Sequence, residues 1–150
     1  MSTLVSKQFS TEYGDIFYYW FQSDEQLKYN VFIHGLGGNR KWFPSDFKTF
    51  KLSKHSWIVP DLMGYGDSSK KRIPEAYTMD KQADFVLSVL EEERVEEISI
   101  LAHSMGGPIS ISLIEKLVAK KEQKINVAVL LYLEGNLDSG DAFTSSRISE

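Results

Sequence analysis

No cysteine occurs among the 150 residues of this chain. That excludes disulfides, thiolate-held zinc and a cysteine nucleophile, and leaves the compartment undecided. Histidine is scarce, with only His34, His55 and His103. No apolar run approaches the roughly 20 residues of a membrane-spanning helix, and the polar, mixed stretch from Met1 to Ser10 is no signal peptide. Internal repeats, linkers and low-complexity segments are missing too. Charge of neither sign dominates: 17 basic against 21 acidic residues give a net charge of -4. Nucleic acid or an anionic membrane is therefore not expected as a partner. The one basic run, Lys70-Lys71-Arg72, reads as a solvated loop. What remains, 42% hydrophobic and 25% charged, is the composition of one soluble domain with an ordinary core. A cytoplasmic location is the default expectation.

Hydrophobic patterning alternates between strand and helix. Leu4 to Thr11 and the aromatic run Gly14 to Phe21 predict two strands joined near Tyr13-Gly14. Short apolar runs at Tyr29 to Ile33, Ser56 to Val59, Glu97 to Ala102 and Ile125 to Leu133 predict four more. Trp42 to Leu52 has near-helical spacing, with Pro44 tolerable only in a first turn. Thr78 is a plausible cap for a helix to Arg94 whose apolar face is Ala83, Val86, Leu87 and Leu90. A further helix is predicted over Met105 to Lys121, with Ile109, Leu113 and Leu117 spaced by four. Continuous apolar strands alternating with helices imply an α/β fold, a mostly parallel sheet with helices on both faces. In such sheets sites lie at the carboxyl ends of the strands. The loops leaving that edge are His34 to Asn39, Asp61 to Ser69, His103 to Gly107 and Glu134 to Asp138.

The loop at His103-Ser104-Met105-Gly106-Gly107 carries the sharpest signal. A serine attacks only if its backbone holds it in the open and a base takes its proton. A tight strand-to-helix turn does the first, and it needs small residues two before and two after the serine. Ala102 and Gly106 supply them, making a G-x-S-x-G-like nucleophile elbow around Ser104. Taken alone, Ser104 reads equally as a helix N-cap. Gly64 and Gly66 lack the Gly-Lys-Ser/Thr that a phosphate loop requires.

Three loops together resemble those of the α/β-hydrolase family. His34-Gly35-Leu36-Gly37-Gly38 is similar to its HG-x-G-G loop after the third strand. Asp61-Leu62-Met63-Gly64-Tyr65-Gly66-Asp67-Ser68 is similar to its D-x-x-G-x-G-x-S segment, and Ala102 to Gly106 to its elbow. The order and spacing match over about residues 10 to 135. The resemblance implies a serine hydrolase in which Ser104 attacks an ester-like carbonyl of a small-molecule acyl substrate. The backbone N–H groups of Leu36 and Met105 would then bind the oxyanion. It implies that His34 and Gly35 shape their loop, that Gly37 and Gly38 let it approach closely, and that Gly106 and Gly107 let the helix pack close to the sheet. Asp61 is expected to bond backbone in its own turn. Trp42, Phe43 and Tyr65 either line part of a pocket or pack in the core. No metal or organic cofactor is implied.

One partner is lacking. The family's chain order is Ser, acid, His, and no histidine follows Ser104. His34 belongs to the oxyanion loop, His55 precedes its strand and falls at the far edge of the sheet, and His103 should project away from its neighbour. Glu134, closing the last strand, is either the triad acid or a surface carboxylate. Residues 1–150 thus read as a partial α/β-hydrolase domain of about six strands, without the lid, the C-terminal strands and the final helix. Such a chain is expected to be inactive, or to serve as a non-catalytic module binding a ligand or partner. Its last strand is expected to be an exposed apolar edge open to self-association or to a complementing chain.

Overall fold

Each strand and helix can be traced from its local sequence in a computed structural model that describes residues 4–23, 27–43, 54–120 and 125–134. Strands β1 (Val5–Thr11) and β2 (Gly14–Phe21) form an antiparallel hairpin. Its turn uses Gly14 at φ +124°, and the Thr11 hydroxyl donates to the Gly14 carbonyl at 2.7 Å. Strands β3 (Lys28–Ile33), β4 (Ser56–Pro60), β5 (Glu97–His103) and β6 (Asn126–Leu133) complete a six-stranded sheet. The spatial order is β1-β2-β4-β3-β5-β6. β2 runs antiparallel to β4, and β4, β3, β5 and β6 are mutually parallel. Every residue of β4 is buried, as its unbroken apolar run requires.

Helix α1 (Met79–Glu92) starts where the Thr78 hydroxyl accepts the Lys81 N–H at 3.1 Å. Helix α2 spans Gly106–Ala119, with Met105 at its N-cap and Lys120 at its C-cap. Pro108 is tolerated because the first turn has no N–H partner to lose. The helices pack side by side. Lys116 on α2 reaches Asp80 at 2.8 Å and Asp84 at 2.9 Å on α1. The Asp80 carboxyl is thereby held below its ordinary range, chiefly by hydrogen bonding to Lys116.

The pleat divides the core. Ile16, Val31, Ile33, Ile58, Ile98 and Ile100 point towards Ala83, Val86, Leu90, Ile109 and Leu113 of the helices. On the other face Phe21, Phe43, Trp57 and Val59 form a smaller cluster. The helix expected over Trp42 to Leu52 lies outside the described residues except at its start, where Arg40–Trp42 makes a single 3-10 turn. A second 3-10 turn, Pro74–Tyr77, was not legible in the sequence.

From β3 the chain moves to β4 on one side, and from β5 to β6 on the other. The crevice at the carboxyl ends of β3 and β5 is therefore the switch point of the sheet, where such folds bind ligands.

Candidate active site

Two loops meet in that crevice. β5 ends at His103 and α2 begins at Gly106, so the chain reverses within two residues. Ser104 accomplishes this at φ +50°, in the left-handed region that costs a non-glycine residue roughly 1–2 kcal/mol. The strain is held in place from three sides. The Ser104 N–H donates to the Leu133 carbonyl at 2.9 Å, the Gly107 N–H donates to the Ser104 carbonyl at 2.9 Å, and the Tyr132 hydroxyl donates to the same carbonyl at 3.1 Å. Strain maintained against so many constraints is a mark of functional positions.

The glycines after Ser104 are there for space. A Cβ on Gly106 would lie 2.3 Å from the Ile33 carbonyl oxygen, and one on Gly107 would lie 1.8 Å from the Tyr132 ring. Ala102 is fully buried in β5 between Ile33 and Tyr132.

The His34–Gly38 loop packs directly on this turn. A Cβ on Gly35 would fall 2.9 Å from the Ser104 Cβ and 2.8 Å from His103 Nδ1. The Gly38 N–H donates to the Gly35 carbonyl at 3.0 Å, closing a turn with Gly37 at φ +73°. Nothing lies within 4 Å of a Cβ placed on Gly37. This corrects the expectation of close approach there: glycine is needed for its backbone conformation, as in a type II turn. Among the described residues, neither the Leu36 nor the Met105 backbone N–H has a hydrogen-bond acceptor.

His34 is fully buried, and both ring nitrogens are used. Nδ1 donates to the Gly35 carbonyl at 2.8 Å, and Nε2 accepts the Leu62 N–H at 3.1 Å. These partners assign the neutral Nδ1–H tautomer. Burial holds the ring below the ordinary imidazole range, against the opposing pull of the Gly35 carbonyl and Asp61. Asp61 accepts the backbone N–H of Arg40 at 2.5 Å and of Asp67 at 2.8 Å, and pairs with the Arg40 guanidinium. Arg40 also bonds Asp67 at 2.7 Å and lies against the rings of Tyr19 and Phe17. The β3 and β4 loops are thus tied together by one buried cation.

Glu134 sits at φ +51° directly after Leu133, and its carboxylate meets His103 Nε2 at 3.1 Å. The opposite nitrogen of His103 is buried beside Gly35 and has no partner among the described residues, and the ring contacts Trp42 edge to face at 5.9 Å. His55 lies at the amino edge of the sheet, in a cavity of about 230 Å³ lined also by Lys28, Lys54 and Glu97. Phe43 is buried against Trp57 at 4.9 Å, whereas Trp42 is 52% exposed beside His103. Tyr65 packs edge-on against His34 at 5.2 Å, with its hydroxyl 3.8 Å from the Met105 sulfur.

A family model described as the alpha/beta hydrolase fold matches residues 31–142, three-quarters of the chain. The chain belongs to the α/β-hydrolase fold family. It is 34% identical over 83 residues to lipase 3 of a Moraxella species, a match covering 55% of this chain and 25% of the lipase. It is 28% identical over 131 residues to the hydrolase YugF of Bacillus subtilis, covering 87% of this chain and 45% of that one. Among solved structures, the N-acyl homoserine lactonase AidH superposes with a TM-score of 0.77 at 21% identity, over 95% of this chain and 49% of the lactonase. This hydrolase-fold chain therefore spans about half the length, or less, of the proteins it matches.

Within this hydrolase fold, the geometry packs Gly35, next to Leu36 in the chain, on Ser104 and sets Gly106 against the end of β3, and puts Glu134 one residue past the carbonyl that holds the Ser104 amide. Two contributors escaped sequence reading. Arg40 carried a faint signal, a cation closing a glycine-rich loop. Tyr132 was hidden in an apolar run. No helix among the described residues is long and apolar enough to cross a membrane.

Proposed function

We propose that this chain is the nucleophile-bearing part of a serine hydrolase acting on ester-like carbonyl substrates through an acyl-enzyme. The observation that carries the reading is Ser104 in left-handed backbone at the switch point of the sheet, packed against Gly35, with the Met105 and Leu36 N–H groups beside these two in the chain and without an acceptor among the described residues. Ser104 Oγ would attack the carbonyl carbon, and the negative oxygen would be received by the Leu36 and Met105 N–H groups. One such donor is worth about 10²–10³ in rate. The start of α2 adds its positive end to the same point. Relatives named as lipases and a lactonase are consistent with an ester carbonyl as substrate.

The base comes from outside these residues. His34 has both nitrogens engaged, His55 is at the opposite edge, and His103 faces Glu134. By itself the chain should retain at most the roughly 10³–10⁴-fold acceleration that an oxyanion hole and binding give without a full triad. Glu134 is then the candidate for the triad acid. The same lack of an available histidine favours a second reading, a non-catalytic module that binds ligands in the crevice.

A fluorophosphonate probe separates the two. Applied to the chain extended by the reading frame downstream of codon 150, it should label the protein, and Ser104→Ala should abolish the label. Absence of labelling in that extended protein would sink the hydrolase reading and leave the binding module.

A further inference from the structure

Of the three bonds that hold Ser104 in its left-handed conformation, two come from β6. The Leu133 carbonyl accepts the Ser104 N–H at 2.9 Å, and the Tyr132 hydroxyl donates to the Ser104 carbonyl at 3.1 Å. The third donor is the Gly107 N–H of α2, 2.9 Å from the same carbonyl. A carbonyl oxygen has two lone pairs, so one receives the helix and the other receives Tyr132.

Tyr132 carries the only side-chain hydroxyl in this strand. Phenylalanine would fill the same space and suit the apolar run equally well. The ring is fitted to the start of α2: a Cβ on Gly107 would overlap its Cζ and hydroxyl oxygen. The bare α-carbon of Gly107 is therefore what lets the hydroxyl reach the elbow. The register partner of Tyr132 on β5 is Ala102, the small residue two before Ser104. Magnitudes show how much one bond matters here. Left-handed backbone is disfavoured for a serine by roughly five- to thirtyfold. One hydrogen bond inside a protein is worth roughly two- to twelvefold. The ranges overlap, so each of the three bonds carries a sizeable part of what keeps the turn in place. Losing one raises the population of relaxed elbow by about the second factor.

We infer that Tyr132 is a positioning residue for the nucleophile: its hydroxyl, bonded to the Ser104 carbonyl, keeps Ser104 in the conformation from which it attacks. The inference rests on the reading of Ser104 as a nucleophile. Tyr132 acts on the Ser104 backbone and takes no part in making or breaking bonds. A tyrosine that merely fills space beside α2 would tolerate loss of its hydroxyl without any change at Ser104.

Tyr132→Phe keeps the ring and deletes the bond. In the 150-residue chain, hydrogen exchange of the Ser104 amide should quicken by roughly two- to twelvefold, the worth of one bond. Tyr18→Phe is the control. It removes another tyrosine hydroxyl's bond, 2.5 Å to Glu93, and should leave the Ser104 amide unaltered. In the protein extended past codon 150, Tyr132→Phe should lower the limiting rate of fluorophosphonate labelling by the same factor. The probe concentration giving half that rate should stay unchanged, because the crevice that binds the probe is intact. Gly107→Ala, whose methyl displaces the ring, should slow labelling likewise with the hydroxyl still present. Parental labelling in Tyr132→Phe or Gly107→Ala overturns the inference alone. So does an unchanged Ser104 amide in Tyr132→Phe, or equal quickening of that amide by Tyr18→Phe. An extended parent that takes no label overturns the hydrolase reading and this inference with it.

Discussion

Gly106 and Gly37 are both glycines of the candidate site, yet they are required for different reasons. Substitution separates them. In Gly106→Ala the new methyl meets the Ile33 carbonyl at 2.3 Å, a backbone atom that cannot swing aside. Overpacking of that kind costs about 1–3 kcal/mol. In Gly37→Ala the methyl enters open space, and only the φ of +73° is penalised, by roughly 1–2 kcal/mol. Urea unfolding should find Gly106→Ala at least as destabilised, and only Gly106→Ala should shift the α2 amide resonances. Ser104 itself is a non-glycine residue paying a comparable backbone cost, and its removal tests function, as set out above for the fluorophosphonate label.

His34 makes a pH prediction at the same level of detail. Its folded ring titrates below its unfolded value of 6.5, mainly because burial disfavours the charged form. A proton on Nε2 would also turn a donor towards the Leu62 N–H. Since the unfolded chain binds that proton first, the contribution of His34 is fully present above pH about 6.5 and is lost as pH falls through the lower folded value. Denaturation curves should show stability declining on acidification from that point. His34→Gln should flatten the decline.

Loops become a site only through their mutual attachment. Among the described residues, the segment after β3 carries one 3-10 turn, Arg40–Trp42, and the segment from β4 to α1 another, Pro74–Tyr77, and Asp61 and Arg40 hold the two segments together in a buried pair. Removing one member of such a pair leaves a stranded charge and costs about 3–5 kcal/mol. Asp61→Ala is expected to lose stability on that order, read as a lower urea midpoint. The combined Arg40→Met, Asp61→Ala protein should recover part of it, because no unpaired cation remains. Asp67 is half-exposed and bonds the other terminal nitrogen of the guanidinium at 2.7 Å.

Burial across the molecule is uneven. β3 and β4 lie inside the sheet and α1 supplies seven buried residues, while β6 is exposed along most of its length. Hydrogen exchange should therefore find the strongest protection in β3, β4, β5 and α1. Amides of β6 should exchange faster than those of the inner strands. Protection of β6 equal to that of β4 would contradict this distribution.

Much of the fold was legible because its signals are local. Runs such as Tyr29 to Ile33 and Ser56 to Val59 mark strands by apolar continuity, and the four-residue spacing of Ile109, Leu113 and Leu117 marks a helix. The small residues around Ser104 marked the turn for the same reason, since a reversal within two residues excludes bulky side chains at known offsets. Less legible were Arg40 with Asp61, His103 with Glu134, and Tyr132 with Gly107. Those partners are 21, 31 and 25 positions apart and meet only because the sheet order places their strand ends side by side.

The sequence by itself determined the alternation of strands and helices, the family resemblance and the lack of a histidine after Ser104, all of which depend on residue identity and short-range spacing. Tertiary structure alone decided that His34 is spent on two backbone contacts, that Gly37 serves conformation and that Arg40 joins two loops. These are matters of distance between chain segments, which no periodicity along one segment encodes.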